Sequence, residues 1–234
     1  MPLPSFENTI LAIGAHHDDN EQFAGTLAHY KQAGWNIVSV VMCNGMYSAG
    51  QASEATIPVR DAESLAAAKL LGMTTVFLRL HEGDLANTQE TRLKVIEAIR
   101  QHRPQIVITH PPRDYHSDHI ATSQCVHDAT LMCNSYAVLT ASPACRQPRL
   151  YYCDTWFVPF EPDCYVDITE HIELKLQMMA CHKSQLPPKP VPGDTLDRMR
   201  LRSRMRGIEA GAEYAEAFRF VPRLGSVRTG LLLT

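Results

Sequence analysis

Two short stretches concentrate the side chains that could do chemistry. From position 15 the chain reads AHHDDNEQFAGT, with His16 and His17 directly before Asp18 and Asp19. From position 109 it reads THPPRDYHSDHIAT, with His110, Asp114, His116, Asp118 and His119 inside ten residues. Adjacent carboxylates repel each other and are costly to desolvate without a partner, and a bound cation removes both objections. Two imidazoles and one carboxylate, with a position left open for water, suit a zinc hydrolase, because zinc lowers the pKa of bound water towards about 7 and polarises a carbonyl oxygen. Such a site also needs a base for the water's proton and a donor to the developing oxyanion, and the two stretches hold enough acids and imidazoles for both. The same ligand set binds ferrous iron in oxygenases, so ligand count alone does not choose the chemistry. Five of the eleven histidines fall in these two stretches. Capping helices and satisfying buried carbonyls would explain one isolated histidine, but it explains two such clusters poorly.

The flanking segments say where these clusters sit. NTILAIGA reads as a strand, and the helix after the first cluster ends near Gly34, a natural helix-terminating glycine. WNIVSVVMC is an uninterrupted apolar run of the kind covered on both faces of a sheet. PVRDAESLAAAKLLG is an alanine-rich helix closed by Gly72, and TTVFLRL is the next strand. TRLKVIEAIRQH spaces Leu93, Ile96 and Ile99 along one helical face, and QIVITH follows as another buried strand. RLYYCDTW and the helix around ITEHIELKLQMMACH continue the alternation less clearly. Repeated βα units predict an α/β fold, a mostly parallel sheet with helices on both faces, in one domain over 1–234. In open α/β sheets ligands bind beyond the carboxyl ends of the strands, and both clusters occupy such βα turns.

Composition narrows the setting. With 234 residues the chain can bury one substantial core, and 45% hydrophobic and 20% charged residues are ordinary for a soluble globular protein. A net charge of −3 gives no general attraction to nucleic acid or anionic membranes. MPLPSFENTI lacks the basic and apolar regions of a secretory signal, and the longest apolar runs are too short to span a bilayer. Seven cysteines without a C-x-x-C pair suit reduced, mostly buried thiols and a cytoplasmic setting. Proline-rich QLPPKPVPGD (185–194) is a surface loop, either a connector or a lid. DRMRLRSRMRG puts Arg198, Arg200, Arg202, Arg204 and Arg206 at every second position, sharing a face on a strand but spreading around a helix. A solvated or subunit-contact segment fits the negative net charge better than an anion-binding rim. His81, Glu82 and Asp84 follow the TTVFLRL strand and are candidates for a further wall of the pocket, without an assigned role.

At AHHDDNE and HSDH the sequence resembles the LmbE-like, or PIG-L, family of zinc-dependent N-acetylglucosamine deacetylases, whose signature is A-H-P-D-D-x-E after the first strand and a later H-P-D-H. The match extends through Arg60 and Glu63 in VRDAESLAAAKLLG, through VDITEHIELKLQMMACHKSQ and into GAEYAEAF, covering nearly the whole chain. The resemblance implies a Rossmann-like fold and a zinc ion held by His16, Asp19 and His119. It implies that Asp18 is the general base on a water held by that ion. His116 is implied as a protonated imidazole that stabilises the tetrahedral oxyanion and helps the amine leave, with Asp118 orienting or tuning a neighbouring histidine. Arg60 is implied to contact a phosphate, carboxylate or hydroxyl of the substrate. His182 in HKSQ fits the family pattern, either approaching the site or bracing the last helix. Two positions depart from the signature: His17 and Ser117 replace prolines, and His17 is expected to hydrogen-bond locally or line the pocket. Tyr115 stands where some relatives have arginine.

These readings converge on a cytoplasmic zinc hydrolase that removes an N-acetyl group from an N-acetylglucosamine-type sugar conjugate, soluble rather than lipid-anchored, and homo-oligomeric as family resemblance suggests. Rival readings are a metal-dependent hydratase of an unsaturated dicarboxylate or an amidase of another conjugate on the same scaffold. A ferrous oxygenase usually rides a β-sandwich, against the βα alternation, and a nucleotide-binding module lacks G-x-G-x-x-G after the first strand.

Overall fold

The computed structural model describes residues 3–48 and 51–222. The elements run β1 (Glu7–Gly14), α1 (Ala24–Gln32), β2 (Asn36–Cys43), the short hairpin β3 (Tyr47–Ser48) and β4 (Gln51–Ala52), α2 (Thr56–Leu71), β5 (Thr74–Leu80), α3 (Gln89–His102) and β6 (Pro104–Thr109). They continue with α4 (Ser117–Met132), β7 (Arg149–Cys153), β8 (Cys164–Asp167), α5 (Ile172–Met179), α6 (Thr195–Ala210) and β9 (Ala215–Phe220). Among the described residues, seven strands form one sheet in the order β5-β2-β1-β6-β7-β9-β8. The first five run parallel, with Leu11 of β1 facing Val38 of β2 on one side and Val107 of β6 on the other. The last two are joined by antiparallel pairing, β9 to both β7 and β8.

Alternation along the central strands makes two cores. Leu11, Ile13, Val38, Val40 and Val107 face α3 and α4, packing on Val95, Ile96, Ile99, Val126 and Ala129. Ile10, Ala12, Ile37, Ile106 and Ile108 face the other way, onto Leu27 of α1, Ala67 and Leu71 of α2, and Met178 of α5. This is the two-faced burial that continuous apolar strands require. On α3, Leu93 is only half-buried, and Val95 joins Ile96 and Ile99 in its place. The seven cysteines are free, five of them buried. No helix among the described residues is long and apolar enough to cross a membrane.

The chain order places the chemistry. From β1 the sheet grows outward through β2 and β5, then restarts on the other side of β1 with β6 and β7. The βα turns leaving β1 and β6 therefore part in opposite directions and leave a crevice at their carboxyl ends, the usual ligand position in open α/β sheets. Those two turns carry the two histidine–aspartate clusters. The late strand β9 braces the first of them, since the buried Glu216 accepts hydrogen bonds from Gly25 and Thr26 at the start of α1, at 3.0 and 2.7 Å. Lys175 of α5 pairs with the same carboxylate at 2.8 Å.

The arginine-rich segment is a helix, not a strand. Asp194 caps it by accepting the Asp197 N–H, and Gly211 closes it in the left-handed region. Four of its five arginines are paired within the chain. Arg200 pairs with Glu173, Arg204 donates to the Glu213 carbonyl, and Arg202 and Arg206 turn inward to the loop after β7.

Candidate metal centre and its pocket

His16, Asp19 and His119 come together at the crevice. His16 Nδ1 lies 3.2 Å from His119 Nε2 and 3.4 Å from Asp19 Oδ2, and His119 Nε2 lies 3.3 Å from Asp19 Oδ1. Zinc bonds of about 2.0–2.1 Å in tetrahedral geometry put neighbouring donors about 3.3–3.4 Å apart, close to these contacts, which Asp19 makes through both of its oxygens. The outer ring nitrogens support the same orientation. His16 Nε2 is 3.2 Å from Asp118 Oδ2, and His119 Nδ1 is 3.0 Å from Asp114 Oδ1. A ring N–H given to each carboxylate leaves a lone pair on each of the two inward nitrogens, the carboxylate–histidine–metal arrangement.

The electrostatics ask for positive charge. Burial works against a proton on His16, but Asp19, Asp118 and Glu82 outweigh it and carry the imidazole up to about 10. Burial is likewise overcome at His119, which Asp19 and Asp114 raise to about 9. Burial opposes the charge of Asp19 in turn, yet His119, His110 and His16 hold its carboxyl well below the usual range. Protons and a divalent cation compete for the same field and the same three donors.

Around this centre lies a pocket of about 250 Å³, lined by the three donors with Asp18, Tyr47, Arg60, Glu82, Tyr115, His116 and Gln185. Asp18 is a quarter exposed and accepts from Arg60 at 3.2 Å. Adjacent in sequence, Asp18 and Asp19 thus face different partners. His116 caps α4, its Nδ1 accepting the Asp118 N–H at 3.1 Å. Burial, helped by His16 and His119, lowers its pKa. Because Nδ1 accepts there, Nε2 is the ring atom that carries a proton. Asp118 is fully buried and also accepts the Gly83 N–H at 2.8 Å.

Arg60 lines the pocket and makes three hydrogen bonds within the chain. It donates to the Tyr47 carbonyl at 2.8 Å, to Glu82 at 2.9 Å and to Asp18 at 3.2 Å, and it is buried. In this geometry it bridges two carboxylates at the pocket wall. His17 turns away to Asp61, 2.9 Å from its Nε2, and its ring stacks on Phe77. Gly45, at φ +80°, admits that ring: a Cβ there would lie 2.5 Å from the imidazole. His182 is fully buried 3.2 Å from Glu21, outside the residues lining the pocket.

Three participants had no assigned role in the sequence. Glu82 lies 3.7 Å from His16 Nε2, whereas His81 and Asp84 beside it point to solvent and to each other. His110 stacks on His119 with ring centres 3.9 Å apart, and its Nε2 is 3.0 Å from Asp19 Oδ2. Asp114 holds His119. Position in the HxxxDxHSDH run was the available signal for Asp114 and His110; Glu82 had only its place after a strand, shared with His81 and Asp84.

The family model described as PIG-L, GlcNAc-PI de-N-acetylase, matches residues 11–130, which include both clusters. The chain is similar to a diacetylchitobiose deacetylase of Thermococcus kodakarensis, 27% identical over 225 residues that cover 91% of this chain and 83% of that protein. It is also similar to a 4-oxalmesaconate hydratase of Pseudomonas putida, 22% identical over 196 residues, 76% of this chain and 74% of that protein. Among solved structures, the N,N'-diacetylchitobiose deacetylase from Pyrococcus horikoshii superposes with a TM-score of 0.84 at 22% identity, covering 96% of this chain and 88% of that one.

Proposed function

This chain belongs to the PIG-L family, and from that premise we propose that it is a zinc-dependent hydrolase removing the N-acetyl group from an N-acetylglucosamine-type sugar or sugar conjugate. The observation that carries the reading is the convergence of His16, Asp19 and His119, with contacts of 3.2–3.4 Å between them, beside a pocket-facing carboxylate. Zinc held by those three residues would polarise the acyl carbonyl and bring the pKa of water towards about 7.

The remaining work belongs to the chain's own groups. Asp18 takes a proton from the attacking water, with Arg60 fixing one oxygen so that the other is free to accept. His116 donates its Nε2–H to the acyl oxygen as charge gathers there. As the C–N bond breaks, Asp18 returns its proton to the leaving nitrogen, and the products are acetate and a free amine. Asp118 fixes both histidines beside it, through its carboxylate to His16 and its backbone N–H to His116.

Arg60 acts through Asp18 and Glu82 in this reading. Lysine cannot reproduce a fork that reaches two carboxylates and a carbonyl. Arg60→Lys is expected to lower kcat by about ten- to a hundredfold through misplacement of Asp18, with a smaller change in KM. Steady-state kinetics on the sugar substrate check it, and a change confined to KM would return Arg60 to substrate binding.

Similarity to the Pseudomonas hydratase supports a second reading, hydration of an unsaturated dicarboxylate on the same scaffold. The pocket walls weigh against it. Asp18, Asp19 and Glu82 line them, and the one arginine among the described lining residues is already paired with two of these acids. A neutral, hydroxyl-rich sugar meets such walls with hydrogen bonds, whereas a dianion finds no unpaired arginine or lysine among them beyond the metal itself. The deciding experiment gives zinc-loaded protein a panel of N-acylated sugars and conjugates, followed by amine release, with an unsaturated dicarboxylate followed by its absorbance. Release of amine from an N-acetyl sugar is expected; hydration without amine release would overturn the deacetylase reading.

A further inference from the structure

Beyond the residues that face the pocket, one chain of hydrogen bonds runs from α6 to the back of the candidate metal centre. Arg206 grips Asp154 with two nitrogens, at 2.7 and 3.1 Å, and Arg202 donates to the carbonyls of Thr155 and Trp156, each at 2.7 Å. Asp154 accepts the Thr155 N–H at 2.8 Å. The Thr155 hydroxyl then reaches Asp114 Oδ2 at 2.8 Å, while Asp114 Oδ1 lies 3.0 Å from His119 Nδ1 and accepts the His116 N–H at 3.2 Å. Thr155 and the Asp114 side chain are both buried, at 3% and 2% exposure, so water does not substitute for these partners.

Every proton along this chain has one available direction. Arginine only donates and an ionised carboxylate only accepts, so the threonine hydroxyl must donate to Asp114 and His119 must donate from Nδ1. The tautomer of the neutral His119 ring follows, with its Nε2 lone pair turned toward Asp19 and His16. We propose that Thr155 is a positioning residue of the metal centre: its hydroxyl fixes the Asp114 carboxylate, which in turn holds His119 as a ligand through Nε2. Two arginines of the alternating run thereby acquire a task, clamping the loop that presents Thr155. The inference rests on the reading of His119 as a metal ligand, and its consequence is measured on affinity, not on turnover.

Partners that orient metal-ligating histidines are typically worth about 10–100-fold in metal affinity, and Thr155 acts one bond further out, so the low end applies. Thr155→Val keeps the shape of the side chain and removes the hydroxyl; Thr155→Ser keeps the hydroxyl and removes the methyl. Zinc affinity of each variant, of wild type and of His119→Ala is measured at one pH by competition with a chromophoric chelator. Thr155→Val is expected to bind about tenfold more weakly than wild type and Thr155→Ser within about twofold of it. Wild-type affinity in Thr155→Val, or a loss in Thr155→Ser equal to that in Thr155→Val, overturns the role of the hydroxyl while leaving the metal site standing. Undiminished affinity in His119→Ala overturns the metal reading and the inference with it.

Discussion

Asp18→Asn protein is expected to keep its metal and to lose about two to four orders of magnitude in kcat, the usual span for a general base. The substitution is close to isosteric, and the amide oxygen can still accept the Arg60 hydrogen bond that Asp18 Oδ1 accepts at 3.2 Å. What it removes is the capacity to take a proton. The three proposed metal donors do not include Asp18, and the carboxylate beside it in sequence, Asp19, is the one bonded to the His16 N–H at 2.6 Å and set against the imidazoles. Metal content measured by atomic spectroscopy and turnover of an N-acetyl sugar are needed together. Loss of the metal in Asp18→Asn would move Asp18 into the coordination sphere; turnover within about tenfold of wild type would take the general base away from this turn.

The parts of this site that could be read from sequence are those fixed by local pattern. ILAIG and QIVIT are continuous apolar runs, hence central strands, and the residues just after each are forced to the same sheet edge. That β1 and β6 are direct neighbours, and so that the two clusters meet, follows from the sheet order. What could not be read depends on contacts distant in sequence. Glu82 reaches the pocket because β5 lies beside β2, and nothing near it separates it from exposed His81 and Asp84. Arg60 could be placed near the pocket, but whether its fork meets substrate or two carboxylates is decided by residues 42 and 22 positions away. Thr155 carries no motif, since its significance lies in a hydrogen bond across 41 positions. The antiparallel edge β8–β9 was hidden by short strands; CYVD is too brief for alternation to stand out. The arginine run misleads through its period of two, although Asp194 and Gly211 mark it as a helix.

His119→Ala and Asp19→Ala are each expected to leave the purified protein largely without metal. Zinc sites with about four ligands bind with roughly 10–16 kcal/mol, so one ligand accounts for about 3 kcal/mol, a factor of roughly 10²–10³ in affinity. The two losses differ in what they leave behind. His119→Ala strands Asp114, a buried carboxylate that keeps only its bonds to Thr155 and the His116 N–H. Asp19→Ala removes the group that does most to hold positive charge on His16 and His119, so both rings fall back towards neutral and two lone pairs face each other 3.2 Å apart. Excess zinc should restore part of the activity in Asp19→Ala, because Asp18 and His116 are still in place to use it. Thr155→Val should sit about one to two orders of magnitude above either variant in affinity, since it loosens a ligand rather than deleting one. Competition against a chelator series resolves the order. Wild-type zinc content in either His119→Ala or Asp19→Ala would sink the three-donor centre, and with it the hydrolase built around it.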